Sequence, residues 1–223
     1  MGKLYIVPTP IGNLEDITLR AINTLKKVDF ILAEDTRTTK KLLNHYEINN
    51  KLQSFHIHNE HKVLENVIQQ IETMSSVALV SDAGTPGISD PGFLLIRACK
   101  EKGIEVSCLP GPSALIPALV ASGIPCDRFV FEGFLPHKKG RQTKWKQIAQ
   151  EERTVALYES PHRLVKCLKE IEVHLGPQTK VCVAREISKI HEEFNTSSCT
   201  ELIAHYSEKK PKGEIVIIIE PKN

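Results

Sequence analysis

The stretch VALVSDAGTPGISDPGFLLIRACKEKG, Val77 to Gly103, decides how the N-terminal half folds. It opens on an apolar run of strand length, Val77–Val80, and breaks at Ser81-Asp82. Twelve residues follow, Ser81 to Gly92, and five of them are Gly or Pro. An apolar helical pattern then occupies Phe93–Lys102, with Asp90-Pro91 as its start signal and Gly103 as its stop. A strand, a long turn rich in backbone freedom and poor in side chain, and a helix make half of a βαβ unit. Its turn is not built like a minimal connection.

The same alternation extends outward. Leu4–Val7, Phe30–Ala33, Leu52–Phe55, Val77–Val80 and Ile104–Leu109 read as strands. Helical patterns fit Ile17–Lys27, Thr38–Tyr46 and Lys62–Met74, where Val63, Val67, Ile71 and Met74 form one apolar stripe. Five strands separated by helices predict an α/β domain with a parallel, doubly wound sheet. The proline-rich segment LPGPSALIPALVASGIP, Leu109 to Pro125, marks a hinge, dividing the chain into residues 1–112 and 113–223. The second half shows strand patterns at Phe129–Phe131, Thr154–Tyr158, Lys180–Ala184, His191–Thr196 and Glu214–Ile219. Helical patterns lie at Gln142–Glu151, His162–Leu175 and Cys199–Tyr206. The short connection between Glu186 and His191 suggests a hairpin, so this sheet is expected to be mixed.

Composition narrows the function classes. No apolar run is long enough to span a membrane, and MGKLYIVPTP is not a signal peptide. Six cysteines are scattered singly, without a C-x-x-C pair, which fits a reducing cytoplasm and argues against zinc or redox motifs. The net charge of +2 is small, but PHKKGRQTKWK, Pro136 to Lys146, holds five cations and no acid. That strip reads either as a solvated helix face or as a path for an anionic partner.

In open parallel sheets, ligands bind outside the carboxyl ends of the strands. Four segments gather there: VPTPIGNLEDIT, AEDTRTT, SDAGTPGISDPG and PGPSA. No G-x-G-x-x-G follows a strand, no phosphate loop ends in Gly-Lys-Ser/Thr, and no His/Cys cluster has metal spacing. A cofactor held chiefly by backbone groups, with little phosphate charge, fits these loops, and no metal is expected.

TPIGNLEDITLRA, AEDTRTT, SDAGTPGISDPG, PGPSA, FEGFLP, ESPHRL, AREISKIHEE and KGEIVIIIE, in this order from Thr9 to Glu220, resemble the tetrapyrrole methylase superfamily. Within it they are most similar to the branch of ribose 2′-O-methyltransferases that act on a cytidine of small-subunit (16S) ribosomal RNA. The resemblance implies two α/β domains with S-adenosyl-L-methionine in a cleft between them, and a homodimer. It places Pro10, Ile11, Ala83, Gly84, Thr85, Ile88, Ser113, Ala114, Glu159 and Ile187 at cofactor-facing positions. Pro8 stands where the superfamily often has a small residue, which stiffens the first loop. Many members of this branch continue into a helical extension, whereas this chain stops at Asn223, so the basic strip is expected to carry a larger share of RNA contact.

Attack by a ribose hydroxyl requires loss of its proton to a positioned base. Glu34, Glu159 and Glu186 are the candidates, with Glu34 first because it matches an acidic position of the porphyrin-type relatives. Asp35 reads equally well as a helix N-cap. For RNA, Lys138, Lys139, Arg141 and Lys144 could follow the phosphates, and Arg37, Arg163 and Arg185 could hold phosphate or form ion pairs. Trp145 and Phe134 could stack a base, although Phe134 also suits a core. Arg37, Lys40 and Lys41 offer a second basic face. The competing functions are a methyltransferase for a tetrapyrrole-like small molecule and an RNA-binding assembly factor without turnover.

Overall fold

The computed structural model describes residues 2–74 and 76–221. The chain divides into two compact units, Met1–Ser113 and Ala114–Asn223. The first holds strands β1 (Lys3–Ile6), β2 (Phe30–Ala33), β3 (Leu52–Ser54), β4 (Ser76–Val80) and β5 (Glu105–Cys108). Helices α1 (Leu19–Lys27), α2 (Thr36–His45), α3 (Glu60–Thr73) and α4 (Phe93–Glu101) connect them. All pairings are parallel, in the order β3-β2-β4-β1-β5.

Strand alternation sorts the apolar side chains onto the two faces of this sheet. Leu4, Ile6, Phe30, Leu32, Val77 and Leu79 pack with Val67, Ile68 and Ile71 of α3 and Leu95 and Cys99 of α4. Ile31, Ala33, Ala78 and Val80 pack with Ala21 and Leu25 of α1 and Leu43 of α2. Helices therefore cover both faces, as the near-continuous apolar strands require. Helix α2 starts two residues before the expected Thr38, because the Asp35 side chain caps it by accepting the Arg37 N–H at 2.8 Å.

The second unit holds α5 (Leu115–Ala121), β6 (Phe129–Phe134), α6 (Arg141–Ile148), β7 (Thr154–Glu159) and α7 (Leu164–Leu175). It continues with β8 (Lys180–Arg185), β9 (Glu193–Ser198), α8 (Cys199–Glu208) and β10 (Ile215–Ile219). Its sheet runs β6-β7-β10-β8-β9; β6 and β7 are parallel, the other pairs antiparallel. The sheet is thus mixed, and β8-β9 is the expected hairpin. Strand β6 extends past Phe131 because a bulge between Phe131 and Gly133 resets its register on β7. The fully buried β10, Ile-Val-Ile-Ile-Ile, lies at the centre of the sheet. Trp145, Leu168, Ile171 and Leu202 from α6, α7 and α8 pack on one face of the sheet. Ser198 and Glu201 form a capping box at the start of α8.

Candidate active site

Strand order decides which loops meet. Because β1 lies beside β4, the loops that follow them are neighbours, and Thr9 and Gly84 exchange backbone hydrogen bonds of 2.9 Å in both directions. The Thr9 hydroxyl also donates to the Ser81 carbonyl at 3.1 Å. Gly84 has φ +74°, and a Cβ there would stand 3.7 Å from Ile11 Cγ2 and 3.9 Å from the Pro112 carbonyl oxygen. First loop, Gly-rich loop and PGPSA turn therefore converge on Gly84, in a conformation that L side chains rarely adopt. Beside it, a Cβ on Gly111 would come 2.7 Å from Pro8 Cβ, so the unusual proline of the first loop is matched by a glycine across from it.

No lysine or arginine stands in any of these three turns. Main-chain groups line them, with the small side chains of Ala83, Thr85 and Ser113 and the exposed Ile88. That set fits the adenosine and amino-acid portions of S-adenosylmethionine, which carry no phosphate.

On the other side of β4 lies β2, and here the carboxylates gather. The Asp82 N–H donates to Glu34 Oε2 at 3.4 Å, and the Asp35 N–H donates to Asp82 Oδ1 at 3.2 Å. Burial pushes the Glu34 carboxyl above its ordinary value, and the charges of Asp90, Asp82 and Asp35 push the same way. Burial also raises Asp82. Asp35 behaves oppositely: the Arg37 guanidinium, 2.7 Å away, holds it well below the usual carboxylate range. Arg37 is exposed and engaged in this pair.

A pocket of about 250 Å³ opens between the first loop, the start of α2 and the end of β4. Pro10, Leu14 and Leu42 form its apolar walls; Thr39, Lys41 and Asp82 supply polar ones. The Thr39 hydroxyl is buried without a hydrogen-bond partner among the described residues.

In the second unit Glu159 is buried and fully engaged. It accepts from the Ser160 N–H at 2.8 Å and pairs with Arg163 at 2.7 Å and Arg141 at 3.5 Å. Glu186 accepts from Lys189 Nζ at 2.9 Å and the Glu214 N–H at 3.1 Å, and the Lys189 ammonium lowers its carboxyl. Ile187, beside it, is buried. Of the three candidate bases, only Glu34 pairs with no cation among the described residues.

The basic strip is corrected in two places. Arg141 does not face solvent: it is 3% exposed. Its guanidinium is held by Glu170 at 2.6 Å, Glu159 and the Pro136 carbonyl. The charge sits at the start of α6 but points into the unit, so it is unavailable to RNA phosphate. Trp145 is wholly buried too, its ring stacked 6.1 Å from that of His174, and does not stack a base. Phe134 is the exposed aromatic, 56% accessible and set 5.6 Å from the Tyr158 ring. Lys144 pairs with Glu132 at 2.8 Å, and Arg185 pairs with Glu193 at 2.8 Å. Lys138 and Lys139 remain exposed.

Sequence reasoning missed Asp82, Thr39 and Glu170. Asp82 opens the Gly-rich loop, but its meeting with Glu34 depends on β2 and β4 being neighbours. Glu170 lies on an ordinary helix pattern, and nothing local marks it as the partner of Arg141.

A family model for tetrapyrrole (corrin/porphyrin) methylases matches residues 3–203. The ribosomal RNA small subunit methyltransferase I of Synechocystis is 50% identical over 98% of this chain and 79% of its own length. Its counterpart in Thermotoga maritima is 48% identical over 100% of both chains. Among solved structures, uroporphyrin-III-C-methyltransferase from Thermus thermophilus superposes with a TM-score of 0.68 at 18% identity, covering 98% of this chain and 94% of that one. Diphthine synthase gives 0.73 at 10% identity, covering 98% and 90%. These two structures share the fold with the chain and by themselves say nothing of its substrate. The chain belongs to the tetrapyrrole methylase family.

Proposed function

We propose that the protein transfers a methyl group from S-adenosylmethionine to the ribose 2′-hydroxyl of a cytidine in small-subunit (16S) ribosomal RNA. The observation that carries this reading is the near-full-length identity, 50% and 48%, with two proteins named as small-subunit ribosomal RNA methyltransferases. The loops around Gly84 support the cofactor part: Pro10, Ile11, Ala83, Thr85, Ser113 and Ala114 would hold it through main-chain and small side-chain contacts. When bound, the cofactor supplies an electrophilic methyl on a sulfonium.

The chain's own work is to position and to take a proton. A new O–CH3 bond forms as the S–CH3 bond breaks, and the 2′-hydroxyl proton must leave as its oxygen attacks. Glu34 is the proton acceptor in this reading. Its raised carboxyl is closer in proton affinity to the operating pH than an ordinary glutamate, which favours general-base catalysis. The Asp82 N–H fixes the carboxylate through one oxygen and leaves the other for substrate. For the RNA, exposed Lys138 and Lys139 supply charge and Phe134 a stacking face.

The proposed assembly is a homodimer acting in the cytoplasm, which light scattering and fractionation test. No helix among the described residues is long and apolar enough to cross a membrane. The deciding experiment incubates the protein with labelled S-adenosylmethionine and either 30S particles or uroporphyrinogen. Label in a 2′-O-methylcytidine of the RNA supports the reading; label in the macrocycle, or in neither, overturns it.

A further inference from the structure

The pocket beside Asp82 shares only Pro10 with the positions assigned to the cofactor; none of Ala83, Gly84, Thr85, Ile88, Ser113 and Ala114 lines it. Its lining is therefore distinct from the proposed cofactor positions. At about 250 Å³ it falls below the roughly 300–1,000 Å³ of drug-sized ligand sites. One nucleoside fits such a volume; a tetrapyrrole macrocycle does not.

Its chemistry is that of a nucleotide site. Pro10, Leu14 and Leu42 offer apolar surface for the faces of a base. Thr39 forms part of the wall and has a buried hydroxyl with no partner, and buried polar groups in folded proteins are nearly always paired. The edge of a base carries the donors and acceptors that such a hydroxyl lacks. Lys41 is exposed and makes no ion pair among the described residues, which suits a phosphate. Asp82 joins the pocket to the proposed proton acceptor: it is one of the lining residues, and its N–H donates to Glu34. A ribose at this rim would present its hydroxyl to the Glu34 carboxylate.

We propose that this pocket binds the acceptor itself, a single pyrimidine ribonucleotide drawn out of its RNA strand, with its base between Leu14 and Leu42, its edge toward Thr39 and its phosphate near Lys41. The proposal rests on the RNA methyltransferase reading above. Enzymes that modify nucleic acids within a stack commonly extrude the target in this way, and a small pocket then selects the base by size and edge.

The test uses the full chain with threonine methyl groups isotopically labelled for NMR. Cytidine 5′-monophosphate at millimolar concentration is expected to shift the Thr38 and Thr39 signals, adenosine 5′-monophosphate much less, and saturating S-adenosylmethionine to leave the cytidine response in place. Thr38→Phe, at an exposed lining position, should abolish the response and lower kcat/KM for 30S particles at least tenfold, with S-adenosylmethionine affinity unchanged. Thr39→Val keeps the shape and removes the hydroxyl; it should raise KM for the particles with kcat held. The proposal is overturned if Thr38 and Thr39 do not respond to the cytidine nucleotide, if the adenosine nucleotide shifts them equally, or if Thr38→Phe methylates 30S at the parental kcat/KM. A parent that fails to methylate 30S but still shows the selective response would remove the functional reading and leave the pocket's ligand class standing.

Discussion

The backbone N–H of Asp82 donates to the carboxylate of Glu34 across the ends of two adjacent parallel strands, at 3.4 Å. The Asp35 N–H returns the contact to the Asp82 side chain at 3.2 Å. Two acids are thereby held close together with one oxygen of each satisfied by backbone. Partial burial raises both carboxyls, and neighbouring acids, Asp35 among them in each case, push the same way. Holding two such carboxyls charged at neutral pH costs stability.

Glu34→Gln should slow methyl transfer by roughly 10²–10⁴ while leaving S-adenosylmethionine affinity unchanged. Single-turnover rates on 30S particles, alongside calorimetry of cofactor binding, check this. Rates within a few-fold of the parent would move the base elsewhere.

The same substitution should raise stability at neutral pH. The folded-state carboxyl of Glu34 lies above its ordinary value, so between those two values the folded protein binds more protons than the unfolded chain. Stability therefore falls as pH rises through that window and stays lowered above it. Gln has no charge to lose, so the variant's advantage should be present at pH 7 and vanish below the ordinary carboxylate range. Asp82→Asn should behave alike, because Asp82 is raised for the same reason. Urea unfolding at a series of pH values reads the sign; an advantage that grows in acid contradicts it.

Gly84→Val should lose S-adenosylmethionine binding. Valine at φ +74° is strained whatever the space, and its branches would enter the junction between Ile11 and the Pro112 carbonyl. Circular dichroism establishes whether the fold is kept, and calorimetry whether the cofactor still binds. A folded variant with parental affinity would place the cofactor away from this turn.

Arg141→Ala and the double substitution Lys138→Ala/Lys139→Ala should separate cleanly. Removing Arg141 leaves Glu170 without its cation and Glu159 with Arg163 alone, and should cost about 3–5 kcal/mol of stability. Removing the two exposed lysines should leave stability alone and flatten the dependence of log affinity for RNA on log salt by up to about two units. Denaturant curves and RNA titrations at several salt concentrations test both. If the lysine pair leaves the slope intact, the strip is a solvated face.

Phe134→Ala should weaken RNA binding by about 1–3 kcal/mol with stability little changed, if one base stacks there. Trp145→Ala should instead cost about 3–5 kcal/mol of stability, because its ring is wholly buried in the core of the second unit. Filter binding and thermal melts distinguish the two roles.

What the sequence by itself determined is whatever depends on neighbours along the chain. The period of apolar residues specified parallel strands and covering helices, because a strand such as Phe-Ile-Leu-Ala, buried on both faces, must be continuously apolar. Asp35 announced its own helix, since a cap acts within three residues. SDAGTPGISDPG announced a turn that takes up positive φ, at Gly84, Gly87 and Gly92, because glycine frees φ locally.

Only the tertiary structure decided what meets across the sheet. The order β3-β2-β4-β1-β5 sets β4 between β2 and β1. One loop therefore touches Glu34 on one side and Thr9 on the other, and no local pattern encodes that adjacency. The fates of Arg141 and Trp145 were decided in the same way. Both lie in a stretch of high positive charge that looks solvated in sequence, yet Glu170 on α7 draws the guanidinium inward and α6 turns the indole into the core. Charge along a chain measures composition; whether a charge faces water depends on which distant carboxylate stands beneath it.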